Sequence, residues 1–298
     1  MPFSTTTMPS TTPARSSQYA PSSSPTEDID FKSAQYDEEQ VRLMEEVCIV
    51  IDEDDKPIRP GTKKECISLL QLAKNLTKGH LMANIKKGLL HRAFSLFLFN
   101  PSTKKLLMQQ RATEKITFPD QWTNTCCSHP LHTTSELGYD LPSSIEGVKR
   151  AAQRKLDHEL GIKAVQVPLE KMKFLTRIHY LSPSGTGLWG EHESTVPRVN
   201  RVVTDNVVDY IIVIIADVDL DVNPNEVRDT RYVSPDELKE MFNHPGMRIF
   251  FQPISYCLDL QFTPWFKLIC QQFLYEWWGN LDNLEKFTDQ KEVIHRMV

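Results

Sequence analysis

The chain has 298 residues, a net charge of −5, and 40% hydrophobic and 24% charged residues, the make-up of a soluble globular protein of one large domain or two ordinary ones. An acidic balance with a pI of about 6.0 excludes a nucleic-acid binder that works through a broad basic face, and no apolar run approaches the roughly 18–20 residues of a membrane helix. The N-terminus lacks the apolar core of a signal peptide, and six cysteines, two of them adjacent (Cys126 and Cys127), argue against a disulfide framework and for a reduced compartment.

Residues 1–26 contain 18 Ser, Thr or Pro. Such a segment buries too little apolar surface to offset its ordering entropy, so residues 1–36 read as a disordered extension. Residues 37–298 read as a single domain. Val41–Glu46 is a short lead-in, and Val47–Ile51 is a strand closed by the polar turn Asp52–Asp55. His91–Phe99 is a second strand, and Lys105–Gln110 pairs with it as a hairpin. Glu146–Leu160 is amphipathic and stops at Gly161, the pattern of a helix. Phe174–Tyr180 and Tyr210–Val218 are further strands. Ser234–Phe242 opens with Ser-Pro-Asp-Glu, an N-cap followed by Pro at the first helical position and a capping acid. Pro264–Trp278 is a long aromatic helix. The mixture predicts an α+β fold.

Several stretches could carry chemistry. Trp122–Leu131, WTNTCCSHPL, sets a thiol two residues before a histidine; a buried structural Cys in a loop explains this as well as a reactive one does. Trp189–Glu193, WGEHE, puts two carboxylates on one face if it is a strand; a solvated acidic patch is the alternative. Together His80, His91, His129, Glu191 and Glu193 form a nitrogen and oxygen donor set suited to Zn²⁺, Mn²⁺ or Mg²⁺. Lys63, Arg111, Lys115 and Lys155 fall near the same elements and are either solvated surface cations or phosphate ligands. Glu159 lies one turn beyond Lys155. One carboxylate plus substrate phosphates is a usual way to hold Mg²⁺.

The longer blocks carry a resemblance. TKKEC (Thr62–Cys66), HLMANIKKGLLHRAFSLFLFN (His80–Asn100), QQRATEKITFPDQWTNTCCSHPL (Gln109–Leu131), RKLDHELGI (Arg154–Ile162), RIHYLSP (Arg177–Pro183), WGEHE, NEVRDTRYVSPDEL (Asn225–Leu238) and FTPWFKLIC (Phe262–Cys270) resemble the type I isopentenyl-diphosphate isomerases of fungi and animals. The resemblance covers most of residues 37–298. It implies a Nudix α/β/α sandwich, a mixed sheet between helices. The hydrolase pattern of that fold ends R-E-U-x-E-E-x-G-U, with U aliphatic. Here Lys155 and His158 replace acidic positions, which favours an isomerase over a diphosphate hydrolase, the runner-up reading. A non-catalytic metal-binding module is a third.

The implied reaction converts isopentenyl diphosphate to dimethylallyl diphosphate through a carbocation-like intermediate. It implies Cys127 as the catalytic thiol on one face of the alkene and Glu193 on the other, with Tyr180 beside it. Trp265 is the implied aromatic wall facing the cation, and Trp122 a second candidate. The implied metal site is His80, His91, His129, Glu191 and Glu193, taking Mg²⁺, Mn²⁺ or Zn²⁺. A separate Mg²⁺ would bridge the diphosphate through Glu159 and the Cys127 carbonyl. Lys63, Arg111, Lys115 and Lys155 would neutralise the remaining charge. The partner expected is this small molecule, with no nucleic acid and no membrane, and the chain is expected as a cytoplasmic monomer, with a peroxisomal or nuclear location as the alternative.

Three stretches depart from the family pattern: Ile67–Gly79, Ser194–Val207 and Met247–Gln261. Excising them restores the family reading at each junction, so they read as translated introns. As translated, they could also leave an inactivated isomerase-like chain.

Overall fold

The computed structural model describes residues 36–71, 89–183, 201–243, 261–290 and 292–298. The expected extension over residues 1–36 lies outside them, apart from Tyr36. So do most of the three departing stretches.

The chain enters through α1 (Glu38–Leu43), capped by Asp37, whose carboxylate accepts from the backbone of Glu39 and Gln40. β1 (Val47–Ile51) pairs with β2 (Pro57–Thr62), and α2 (Lys63–Cys66) follows under a Thr62–Glu65 capping box. β3 (Ser68–Gln71) leads toward β4 (His91–Phe99), which is buried at every position. β5 (Leu106–Arg111) forms the expected hairpin with β4. Two short strands, β6 (Trp122–Thr123) and β7 (Cys126–Ser128), carry the thiol segment. Then come α3 (Leu141–Leu160), β8 (Lys173–Pro183), β9 (Arg201–Ile215), β10 (Val227–Val233) and α4 (Pro235–Asn243). The segment from Pro264 runs as α5 (Pro264–Ile269), a π turn (Cys270–Leu274) and α6 (Tyr275–Trp278), and β11 (Ile294–Arg296) ends the chain.

The main sheet has the order β10-β5-β4-β9-β8-β11. It is mixed: β4 and β9 run parallel, as do β8 and β11, and the other neighbours in that order are antiparallel. Side chains alternate between its faces. Phe94, Leu96 and Leu98 of β4 join Val208, Tyr210, Ile212 and Ile214 of β9 in packing on Val148, Ala151, Ala152 and Leu156 of α3. Ala93, Phe97, Val207, Ile211 and Val213 face the aromatic layer of Trp265, Phe266, Trp277 and Trp278. Helices on both faces make the α/β/α sandwich, with a hydrophobic core on each side of one sheet.

α3 starts five residues before the predicted Glu146. Asp140 caps it, with Oδ1 accepting from Ser143 N at 2.8 Å, and Pro142 fits the first turn. Gly161 ends it at φ 68°, where a Cβ would come within 2.3 Å of the Asp221 carbonyl oxygen. At α4 the predicted cap is reciprocal: Ser234 Oγ accepts from Glu237 N at 3.2 Å and Glu237 Oε2 accepts from Ser234 N at 2.6 Å. β9 differs most from expectation. It begins at Arg201 and ends at Ile215 instead of spanning Tyr210–Val218.

That early start involves two of the departing stretches. Ser68–Gln71 pairs antiparallel with Arg201–Thr204, in register from Ser68 opposite Thr204 to Gln71 opposite Arg201. The described parts of both stretches therefore join the sheet through each other, and Asp205 and Val207 at the end of the second stretch are buried.

Candidate active site

A pocket with about 570 Å³ of atom-free space, its mouth included, opens at one end of the sheet. Side chains from several elements line it. β7 supplies Cys127, and His129 follows it. β8 supplies Tyr180, α5 supplies Trp265, and β9 supplies Asp205. Cys127 lies opposite Ser95 in the β4–β7 pairing, on the sheet face of the aromatic layer, while its neighbour Cys126 points to the α3 side. Strand alternation thus separates the adjacent thiols.

Burial pushes the Cys127 thiol up to about 11, although Arg111 pulls the other way. The group is a neutral thiol at ordinary pH, a proton donor before it is a nucleophile. Thr123 Oγ1 stands 3.9 Å from its sulfur. Burial, with Asp209 and Asp205 nearby, pushes the Tyr180 phenol well up. The five described cysteines are free.

Trp265 is 5% exposed and forms a pocket wall. Phe118 meets it edge-on at 88°, with ring centroids 4.9 Å apart. Phe118 holds φ 50° and Asp120 φ 58°, a left-handed conformation that bulky residues adopt only under constraint. The turn aims the Thr117 and Phe118 carbonyls at Arg111, whose Nη2 and Nε donate to them at 2.8 and 3.0 Å. Trp122, the second candidate wall, does not line this pocket. It is packed in the aromatic core, where its backbone bonds Gln261 and Thr263.

The four expected cations, Lys63, Arg111, Lys115 and Lys155, all line the pocket. So does Glu159, whose Oε1 lies 3.1 Å from Lys155 Nζ and whose Oε2 accepts from Gln109 at 3.0 Å and faces Cys126 Sγ at 3.5 Å. These contacts occupy three of the four lone-pair directions of the carboxylate. One direction is left open.

The predicted metal set is only partly within the described residues: His80, Glu191 and Glu193 lie outside them. His91 and His129 lie together, with ring centroids 4.7 Å apart. His91 Nδ1 donates to the Leu89 carbonyl at 2.8 Å, which fixes the tautomer and frees Nε2. The third group is Asp205, which the sequence reading had placed inside a departing stretch. Ligand atoms of His91, His129 and Asp205 lie within 4.8 Å of one another. His91 Nε2, His129 Nδ1 and Asp205 Oδ1 are all buried without a hydrogen bond. Asp205 Oδ1 stands 3.3 Å from His91 Nε2 but is not aligned to bond it. Orphaned buried donors and acceptors are costly, and a divalent cation satisfies all three.

Sequence reasoning also missed Asn124. It is fully buried and uses its whole hydrogen-bonding capacity. Its Oδ1 accepts from Thr123 Oγ1 and Trp265 Nε1 at 2.9 and 3.3 Å, and its Nδ2 donates to the Leu96 and Cys126 carbonyls at 3.1 and 2.8 Å. One amide thus ties the thiol strand to the aromatic wall. A polar residue between Trp122 and Cys126 was the only signal.

Comparison with known proteins bears on this geometry. The NUDIX domain family matches residues 89–252. An isopentenyl-diphosphate delta-isomerase of Aspergillus fumigatus is 58% identical, over 87% of this chain and 82% of its own length. One from Gibberella zeae is 57% identical, over 89% of this chain and 90% of its own. One from Schizosaccharomyces pombe is 54% identical, over 88% of this chain and 95% of its own.

Proposed function

The chain belongs to the isopentenyl-diphosphate delta-isomerase family, within the NUDIX fold, and we propose that the pocket around Cys127 is where its reaction takes place. The enzyme converts isopentenyl diphosphate to dimethylallyl diphosphate. A proton is added to the terminal methylene carbon and another leaves C2, so composition is unchanged and the double bond moves by one position.

The observation that carries this reading is the placement of Cys127 in a pocket walled by Trp265 and Tyr180, where burial pushes its thiol up to about 11. Cys127 exchanges the proton on one face of the alkene. Glu193 is assigned to the other face from its sequence motif, and Tyr180 is assigned to the same step. Between these steps positive charge develops on the tertiary carbon. The face of Trp265 stabilises it by about 2 kcal/mol or more once water is excluded.

Lys63, Arg111, Lys115 and Lys155 bind the diphosphate. Binding energy from those non-reacting oxygens positions the alkene against Cys127. Glu159 would hold a Mg²⁺ shared with the diphosphate, supplying the remaining positive charge. His91, His129 and Asp205, with His80, Glu191 and Glu193, would hold a second divalent cation, whose charge would keep the nearby carboxylates ionised.

The test is phosphorus NMR of isopentenyl diphosphate with the full chain and Mg²⁺. The reading predicts an allylic diphosphate with the P–O–P linkage intact. Release of inorganic phosphate or a monophosphate, without allylic product, would instead support a hydrolase.

A further inference from the structure

Glu226 stands between β9 and β10 and is 2% exposed. Its Oε2 accepts from Lys115 Nζ at 2.7 Å and from Lys155 Nζ at 3.4 Å. Its Oε1 accepts from Gln40 Nε2 at 2.7 Å. Gln40 is itself buried on α1, and the same amide nitrogen reaches the Asn225 side-chain oxygen at 2.7 Å. Two ammonium groups from separate parts of the chain, the loop after β5 and the middle of α3, therefore meet at one carboxylate oxygen. The carboxylate is clamped from behind, through its other oxygen, by the N-terminal helix.

We propose that Glu226 is a positioning residue for diphosphate capture: its carboxylate, anchored by Gln40, gathers Lys115 and Lys155 at one point of the pocket wall while the pocket is empty. The inference rests on reading Lys115 and Lys155 as diphosphate contacts.

A buried carboxylate beside an anion site has a cost, because it repels the substrate. Two effects compete if it is removed. The site gains one unit of positive charge, but the lysines lose their shared partner. The environment of Lys115 decides which wins. Burial already pulls this amine down to about 8. Of the charged groups facing it, Arg111 of β5, Lys155 of α3 and Lys63 of α2 push the same way, as does His158 of α3 when protonated, and Glu226 and Glu159 oppose them. Without Glu226, Lys115 would shed its proton at lower pH still, and the site would lose an ammonium together with the carboxylate. Lys155 would keep Glu159 Oε1 and His158 Nδ1, each 3.1 Å away, but would no longer share an acceptor with Lys115. Loss of Glu226 therefore weakens anion binding.

The experiment is calorimetric titration of the full chain with inorganic pyrophosphate and Mg²⁺ between pH 6.5 and 9. Wild type should lose affinity as pH rises through about 8. Glu226→Gln should bind at least about tenfold more weakly at pH 7.5, with its loss of affinity moved to lower pH, and Glu226→Asp should recover part of both. Equal affinity and an unmoved pH profile in Glu226→Gln would overturn the proposal. Lys115→Ala and Lys155→Ala test the reading beneath it: if both bind pyrophosphate like wild type, the diphosphate does not sit at these lysines and both inferences fail. If they bind weakly while Glu226→Gln does not, only the role of Glu226 fails. Should Glu226→Gln not fold, Gln40→Leu carries the test, since it frees Glu226 without removing charge. It should raise KM for isopentenyl diphosphate several-fold and leave kcat unchanged. An unchanged KM would contradict the proposal.

Discussion

The indole N–H of Trp265 donates to the side-chain oxygen of Asn124 at 3.3 Å, and the same amide donates back to the Cys126 carbonyl at 2.8 Å. The aromatic wall and the thiol strand are thus referenced to one buried side chain. Asn124→Ala would leave the Trp265 N–H, the Thr123 hydroxyl and the Leu96 and Cys126 carbonyls short of a partner. At about 1–3 kcal/mol for each buried group left unsatisfied, with partial relaxation, the variant should lose about 3 kcal/mol or more of stability, measured by urea unfolding. A loss below about 1 kcal/mol would show that Asn124 does not hold this junction.

Cys127 predicts a chemical signature. Its thiol is pushed up to about 11 by burial, so the thiolate is scarce at neutral pH. Its alkylation by iodoacetamide should be slow at pH 7 and should accelerate close to tenfold per pH unit up to about pH 10. Peptide mapping, with Cys127→Ala as the blank, reports the rate at this site. Fast, pH-independent labelling at pH 7 would contradict a neutral thiol.

Asp209 predicts a pH dependence of stability. It lies fully buried on β9 with Oδ2 accepting from Ser95 Oγ at 2.8 Å, while Oδ1 has no partner. Burial pushes its carboxyl up to about 8, with Asp205 adding in the same direction. The folded protein therefore holds this proton more tightly than the unfolded chain does. Its contribution is most favourable at acid pH and is lost as pH rises from about 4 to about 8, at up to about 1.4 kcal/mol per pH unit. Asp209→Asn keeps the Ser95 contact and removes the titration. Relative to wild type, it should be more stable at pH 8 by a few kcal/mol and nearly equal at pH 4. The difference in urea midpoints at the two pH values checks it.

The cluster of His91, His129 and Asp205 predicts cation binding by a residue outside the expected set. Asp205→Ala should weaken binding of a divalent cation about 10- to 100-fold, the range for a lost supporting group at a metal site. Equilibrium dialysis with Zn²⁺ and Mn²⁺, read by elemental analysis, measures this without reference to turnover. Unchanged stoichiometry and affinity would remove Asp205 from the site.

The features legible in the sequence were those set by local pattern. His91–Phe99 was read to its exact ends because six of its nine residues are apolar, three of them Phe, and the turn residues Asn100-Pro101 follow directly. The Ser234 cap was legible because its partner sits three residues away. The start of α3 was not, because its first turn is polar and is held by Asp140 and Pro142 ahead of the amphipathic run. The start of β9 was hidden for a different reason: Arg201–Asn206 sets two valines among charged and polar residues inside a departing stretch, and it joins the sheet by pairing with β3 and β8. The same division holds at the site. Cys127, Tyr180, Trp265 and the four cations were named from motifs. Asp205, Asn124 and Glu226 acquire a role only through partners far away in sequence, and a single sequence does not display such contacts. An acid inside the apolar run Val207–Ile215 was a visible sign that Asp209 is buried.

The central claim is that the Cys127 thiol exchanges the substrate proton. Proton NMR of isopentenyl diphosphate with the full chain in D₂O and Mg²⁺, run in parallel with Cys127→Ala, tests it most directly. The account predicts deuterated dimethylallyl diphosphate from the wild type, and turnover reduced by a factor of at least about 10³ in the variant. Deuterated product forming at comparable rates in both would contradict it.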